Sequence, residues 1–166
     1  MQNLWAPWRI EYIMGKRESY CIFCPEGDGQ SDEERLILHR GRLCMIMMNK
    51  FPYTNGHLLV APWRHVARLE ELQEDEMLEL MQLVRLCTLV LKRVMRPDGF
   101  NVGLNLGAVA GAGVEDHLHF HVVPRWQGDT NFIAVFADVR SIPEHFKQTY
   151  SKLLPHFKKE SAHEDV

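Results

Sequence analysis

Between Glu115 and Trp126 the chain reads EDHLHFHVVPRW, with histidine at 117, 119 and 121 and Leu118, Phe120 and Val122 alternating with them. Side chains on a strand alternate faces with a period of two. A strand here sets three imidazoles on one face and three apolar side chains on the other. Such a strand belongs to a sheet with a core on one side and a polar site on the other. Pro124 is expected to end the strand, because it has no N–H to give to a ladder. One histidine on an apolar face is usually a satisfied core residue; three in register call for chemistry. All three could ligate a metal. Alternatively, one attacks a phosphorus while its neighbours supply protons and hydrogen bonds.

The chain around this stretch predicts an α+β fold. Arg35 to His39 and Arg42 to Asn49 read as strands joined by a turn at Arg40-Gly41, and His57 to Pro62 as a third, forming an antiparallel meander. Met45, Met47 and Met48 read as core fillers. Glu74 to Met95 is one long helix, with an apolar stripe at Met77, Leu80, Met81, Val84, Cys87, Leu91 and Val94. Acidic residues open it, Lys92 and Arg93 close it, and Pro97 stops it. Gly99 to Leu106 is the fourth strand, and Gly107 to Gly113 a loop whose backbone can approach a ligand. The histidine strand is the fifth. Ser141 and Glu144 form a capping box, with Pro143 in the first turn, for a C-terminal helix ending near Leu154 before Pro155. The final ten residues read as frayed. Residues 1–20, rich in Trp and Ile, are too apolar to be left in water and read as an arm packed on the domain or on a second subunit, or, the preferred reading, as a simple N-terminal cap of the core.

A length of 166 residues suits a single domain spanning 1–166: an N-terminal arm and Cys-x-x-Cys segment (1–33), a core (34–133), and a C-terminal helix and tail (134–166). A net charge of −3 gives no electrostatic case for nucleic acid or an anionic membrane as partner. No signal-like or membrane-spanning apolar run appears, so the expected location is cytoplasmic. In that compartment Cys21, Cys24, Cys44 and Cys87 are not expected to form structural disulfides. Cys21-Ile22-Phe23-Cys24 is a CxxC, which by itself fits either a metal knuckle or a redox pair.

The stretch HLHFHVV resembles the signature of the histidine-triad (HIT) superfamily of nucleotidyl hydrolases and transferases, His-φ-His-φ-His-φ-φ with φ apolar. The likeness extends to FNVGLNLG at 100–107, PRWQGDTNF at 124–132 and NKFPYTNGHLLVAPWRH at 49–65, and covers roughly residues 34 to 133. It looks like the bacterial branch related to diadenosine tetraphosphate phosphorylases. The resemblance implies a five-stranded antiparallel sheet with one long helix and a C-terminal helix. It also implies a homodimer with the two sheets joined across a two-fold axis.

For the site, the resemblance implies that His119 is the nucleophile, His121 a proton donor and His117 an orienting residue. The substrate would be a dinucleoside polyphosphate or nucleotide conjugate, cleaved at its α-phosphate. Asn49 falls at a ribose-binding position, Asn105 at a phosphate contact, and His57 near the nucleotide; a turn-capping Asn, a strand-end Asn and a buried structural His are their plainer readings. Backbone N–H groups of the 107–113 loop, Gly111 and Gly113 among them, could stabilise phosphate oxygens. Relatives usually carry Ser or Thr shortly before the triad, whereas this chain has Ala110, Gly111, Ala112, Gly113 and Val114, which puts leaving-group preference in doubt. Zinc-carrying members imply a structural zinc held by Cys21, Cys24, His65 and His117, with His39 as a rival ligand. The leading expectation has water as acceptor, which makes the protein a hydrolase; the alternative has phosphate, which makes it a phosphorylase, and the likeness of GFNVGLNLG at 99–107 to the phosphorylase branch supports it. A slowly turning nucleotide-binding signalling module is a further alternative.

Overall fold

The computed structural model describes residues 21–24, 29–129 and 144–164. The apolar arm at 1–20 and the Ser141–Pro143 part of the capping box lie outside them.

The five strands are β1 (Ile37–Arg40), β2 (Cys44–Met48), β3 (Leu58–Pro62), β4 (Gly99–Leu104) and β5 (Phe120–Arg125). They form one antiparallel sheet in the order β1-β2-β3-β5-β4. The period of two sorts each strand between two cores. Cys44, Ile46 and Met48 of β2, Leu58 and Val60 of β3, and Val122 of β5 face the helices. Met45 and Met47 of β2, with Leu59 and Ala61 of β3, face the other way and pack with Phe23 and Ile37.

Helix α1 (Glu74–Met95) has the bounds that the apolar stripe predicts. The Glu76 carboxylate accepts the Gln73 N–H at 2.9 Å and pairs with Arg64 at 2.7 Å, so a buried acid fixes the first turn. Arg96, in the left-handed region at φ 50°, ends the helix just before Pro97. The stripe is rotated from the expected one. Leu83, Leu86 and Val90 are buried, while Met77 and Met81 are 41% and 54% exposed. Among apolar positions on every side of a helix, spacing alone does not select the face that meets the sheet.

Helix α2 (Phe146–Glu164) does not stop at Pro155. Leu153 and Phe157 are fully buried on either side of it, and Tyr150 Oη donates to the Ile37 carbonyl at 2.9 Å. Pro155 lies on the exposed face, where the carbonyl it leaves without a donor is open to water. Packing of both flanking turns outweighs the lost hydrogen bond. The expected fraying therefore does not begin at 157, and Glu160 pairs with Arg93 of α1.

β5 is shorter at its start and longer at its end than the histidine stretch suggested. Pro124 sits inside it, opposite Phe100 of β4. The Pro124 carbonyl accepts from Thr54 Oγ1 at 2.9 Å, beyond the start of β3, so its missing N–H faces no ladder partner. No helix among the described residues is long and apolar enough to cross a membrane.

Gly56, the residue before the buried His57, has φ +77°, and a Cβ there would lie 2.6 Å from Met95 Sδ. Gly56→Ala should cost roughly 2 kcal/mol or more, from left-handed strain plus overpacking. Denaturant unfolding checks this as a lower midpoint at unchanged m-value.

Candidate functional site

Of the three motif histidines only His121 lies within β5; His117 and His119 precede it in a segment held by the Leu118 N–H donating to the Val66 carbonyl at 2.7 Å. The alternation still holds through this segment. Leu118 and Val122 enter the helix-side core, while Phe23 packs against both His117 and His119 on the opposite face. His119 and His121 lie edge to face with ring centroids 4.9 Å apart.

Hydrogen bonds assign the ring protons. His119 Nδ1 lies 2.8 Å from the His117 carbonyl oxygen. A carbonyl only accepts, so Nδ1 carries the proton and Nε2 of the neutral ring keeps a free lone pair. For His121 the assignment starts at the Tyr53 N–H, which donates to His57 Nδ1 at 3.1 Å. The Asn49 amide nitrogen donates to the same atom at 3.2 Å. His57 Nδ1 is therefore an acceptor, and its Nε2–H donates to His121 Nδ1 at 2.9 Å. That leaves the proton of His121 on Nε2, which is buried with no hydrogen-bond partner among the described residues. Two adjacent imidazoles are thus fixed in opposite tautomers, one presenting a lone pair and the other an N–H.

Burial keeps all these rings neutral. It pushes His57 down to about 3, with the neighbouring His121 and His119 adding to the effect. Burial likewise lowers His121 to about 4, again aided by His119. His117 also falls to about 4, through burial first, against the opposing pull of the Pro62 carbonyl. His119 is lowered by burial, with the His117 carbonyl working against it.

A second cluster shares His117. One donor atom from each of Cys21, Cys24, His65 and His117 lies within 4.8 Å of all the others, an arrangement suited to holding a metal ion. Cys21 Sγ is 3.3 Å from His117 Nδ1, and Cys24 Sγ is 3.2 Å from His65 Nδ1 and 3.7 Å from His117 Nδ1. His117 Nε2–H donates to the Pro62 carbonyl at 2.9 Å, which turns the Nδ1 lone pair toward the thiols. His39, the rival ligand, is not in this group. All four cysteines are free, and burial raises the Cys44 thiol to about 12 and that of Cys87 further still, so neither is primed to react.

The remaining expected residues divide. Asn49 is engaged at both ends, its oxygen accepting the Phe51 N–H at 2.9 Å and its nitrogen reaching His57, which is the turn-capping arrangement. Asn105 Nδ2 reaches the Gly111 carbonyl at 3.4 Å, tying the glycine loop to the end of β4. Within that loop the Ala110, Gly111 and Ala112 N–H groups turn inward, to the carbonyls of Gly107 and Ala108. Gly113 makes no such bond among the described residues, and Val114 packs onto the histidine-side core. Sequence reasoning missed Tyr53, whose ring is tilted against His57 at 4.6 Å and stacked on His121 at 5.6 Å, and Phe23. The aromatic between the two cysteines was the available signal for Phe23.

The chain belongs to the HIT family: the HIT domain model matches residues 30–128. It is 43% identical over 157 residues to an AP-4-A phosphorylase of Mycobacterium tuberculosis, covering 90% of this chain and 80% of that one. A hypothetical histidine triad nucleotide-binding protein from Sulfolobus tokodaii superposes with a TM-score of 0.61 at 26% identity, over 75% of this chain and 84% of that one. A Zn-bound histidine triad family protein from Mycobacterium smegmatis has the same fold, with a TM-score of 0.61 at 21% identity over 77% and 87% of the two chains.

The buried neutral rings make stability depend on pH. His57 and His121 have folded values below the ordinary 6.5, so between those values the unfolded chain binds more protons than the native one. Their contribution is full above 6.5 and is lost as pH falls from there toward about 4 for His121 and about 3 for His57. Thermal unfolding should show Tm falling steadily below pH 6.5. A Tm flat down to pH 4 would contradict the burial of these neutral rings.

Proposed function

We propose that this protein is a nucleotide-processing enzyme that cleaves diadenosine tetraphosphate by phosphorolysis through a nucleotidyl-His119 intermediate. The observation that carries the reading is the pair of opposite tautomers. His119 Nε2 attacks the α-phosphorus as the bond to the leaving ATP breaks. His121 Nε2–H, without a partner among the described residues, donates to the phosphate oxygens and helps the leaving group depart. Phosphate then attacks the adenylyl-imidazole, giving ADP and releasing the ring. Water as acceptor would give AMP instead. The 43% identity to an AP-4-A phosphorylase favours phosphate, the acceptor ranked second from the motif alone. Incubation with diadenosine tetraphosphate and phosphate should yield ATP and ADP in equal amounts. ATP with AMP as the main products, even at high phosphate, would make the protein a hydrolase. His121→Ala should slow turnover by roughly a hundred- to ten-thousandfold, the usual weight of a positioned acid.

The four-residue cluster is proposed to hold zinc. Tetrahedral zinc with sulfur at about 2.3 Å and nitrogen at about 2.05 Å sets neighbouring S and N ligands about 3.6 Å apart. The three S···N separations of 3.2, 3.3 and 3.7 Å bracket that value. With four protein ligands no position is open, so the ion's part is structural, fixing the start of the catalytic segment through His117. Elemental analysis should find about one zinc per chain, and Cys24→Ser should lower zinc content and Tm together. A metal-free wild type with a readily oxidised Cys21–Cys24 pair would overturn this.

A homodimer is proposed through the edge of β4, which ends the sheet and carries Val102, 45% exposed. At the opposite edge, the Ile37 carbonyl of β1 accepts from Tyr150 Oη of α2. Light scattering should give a dimer mass that Val102→Lys reduces to that of a monomer. A monomeric wild type at micromolar concentration would count against it.

A further inference from the structure

We propose that Phe23 is a positioning residue for the nucleophile: the Cys21–Cys24 loop presses its ring flat against His119 and holds that imidazole in line for attack. The inference rests on the reading of His119 as nucleophile.

Phe23 is fully buried, between two residues that are not. Its ring lies 4.8 Å from that of His119 at an interplanar angle of 27°, and 5.0 Å from that of His117 at 44°. Among the described residues one hydrogen bond, Nδ1–H to the His117 carbonyl, holds the His119 ring; it sets the tautomer and anchors the Nδ1 edge, about which the Nε2 edge can still tilt. A flat neighbour at stacking distance removes that freedom, because turning the imidazole out of plane drives its edge into the Phe23 face. In-line displacement at phosphorus is sensitive to such swings: a misplacement of about 1 Å costs about a hundredfold.

The loop carrying Phe23 is itself tightly held. The Arg35 guanidinium donates to the carbonyls of Ile22 at 3.0 Å and Cys24 at 2.9 Å. The Cys24 N–H closes the turn on the Cys21 carbonyl at 3.1 Å. Both cysteines face the His65–His117 cluster. The turn therefore does more than supply ligands. It brings the thiols to His117 at its two ends and an aromatic wall to His119 at its centre. Removing the ring leaves both cysteines and Arg35 in place, so the two roles separate experimentally.

The test is single-turnover formation of nucleotidyl-protein in wild type, His119→Asn, Phe23→Leu, Phe23→Met and Phe23→Tyr, with zinc content and AMP dissociation constant measured on each. Wild type forming the adduct, and His119→Asn not, establishes the nucleophile; failure there sinks that reading and this inference with it, whereas normal adduct formation at His119 with unchanged ringless variants sinks the inference alone. Phe23→Leu or Phe23→Met, whichever folds better, should form the adduct on the order of ten- to a hundredfold more slowly. Zinc and AMP affinity should stay at wild-type levels. Phe23→Tyr, which keeps the ring, should recover the rate to within about threefold, since the stacked geometry is retained. An unchanged rate in both ringless variants would overturn the proposal. So would a rate loss matched by loss of zinc or of AMP binding, or a Tyr variant as slow as the Leu one.

Discussion

The hydrogen bond from His57 Nε2 to His121 Nδ1, 2.9 Å long, is the contact on which the site depends. Its direction is set one step back, where the Tyr53 N–H and the Asn49 amide both donate to His57 Nδ1. Reverse it and His121 would present a lone pair beside that of His119, two acceptors facing a polyanion. Burial enforces the arrangement, because neither His57 nor His121 can take up a second proton near neutral pH. The turn before β3 is therefore part of the proposed chemistry. Gly56 at φ +77° lets the chain bring His57 under the sheet, and Asn49 closes the turn onto it.

The sheet supplies the other half of the geometry. Its period of two delivers Met45, Met47, Leu59 and Ala61 to a small second core on the side away from the helices, and the histidines stand on that same side. Phe23 joins that core and the rings at once. The metal-suited cluster and the His119–His121 pair are thus two ends of one segment, linked through His117, whose side chain faces the thiols and whose carbonyl fixes the His119 tautomer.

Much of this was legible in the chain. The alternation at 117–122 predicted the two faces, although ladder pairing begins only at Phe120. The bounds of α1 were readable because acidic residues, a periodic stripe and a following proline all agree. The cysteines, His65 and His117 come together as the family resemblance implied. What was hidden is tertiary. Pro155 reads as a stop, and only the burial of Leu153 and Phe157 carries the helix past it. Met77 and Met81 fit the stripe but face outward, because the sheet chooses the helix face. The backbone donors expected of the glycine loop are largely spent on its own tight turn. The relay through His57 joins residues 64 positions apart, so no local pattern announces it.

Proton placement on the two rings is the claim from which the mechanism follows, and it can be observed directly. Long-range proton–nitrogen NMR correlation on histidine-labelled protein at neutral pH distinguishes the two neutral tautomers of each ring. The account predicts His119 protonated at Nδ1 and His121 protonated at Nε2, each as a single species. Both rings in the same tautomer, or either one doubly protonated at pH 7, would contradict it.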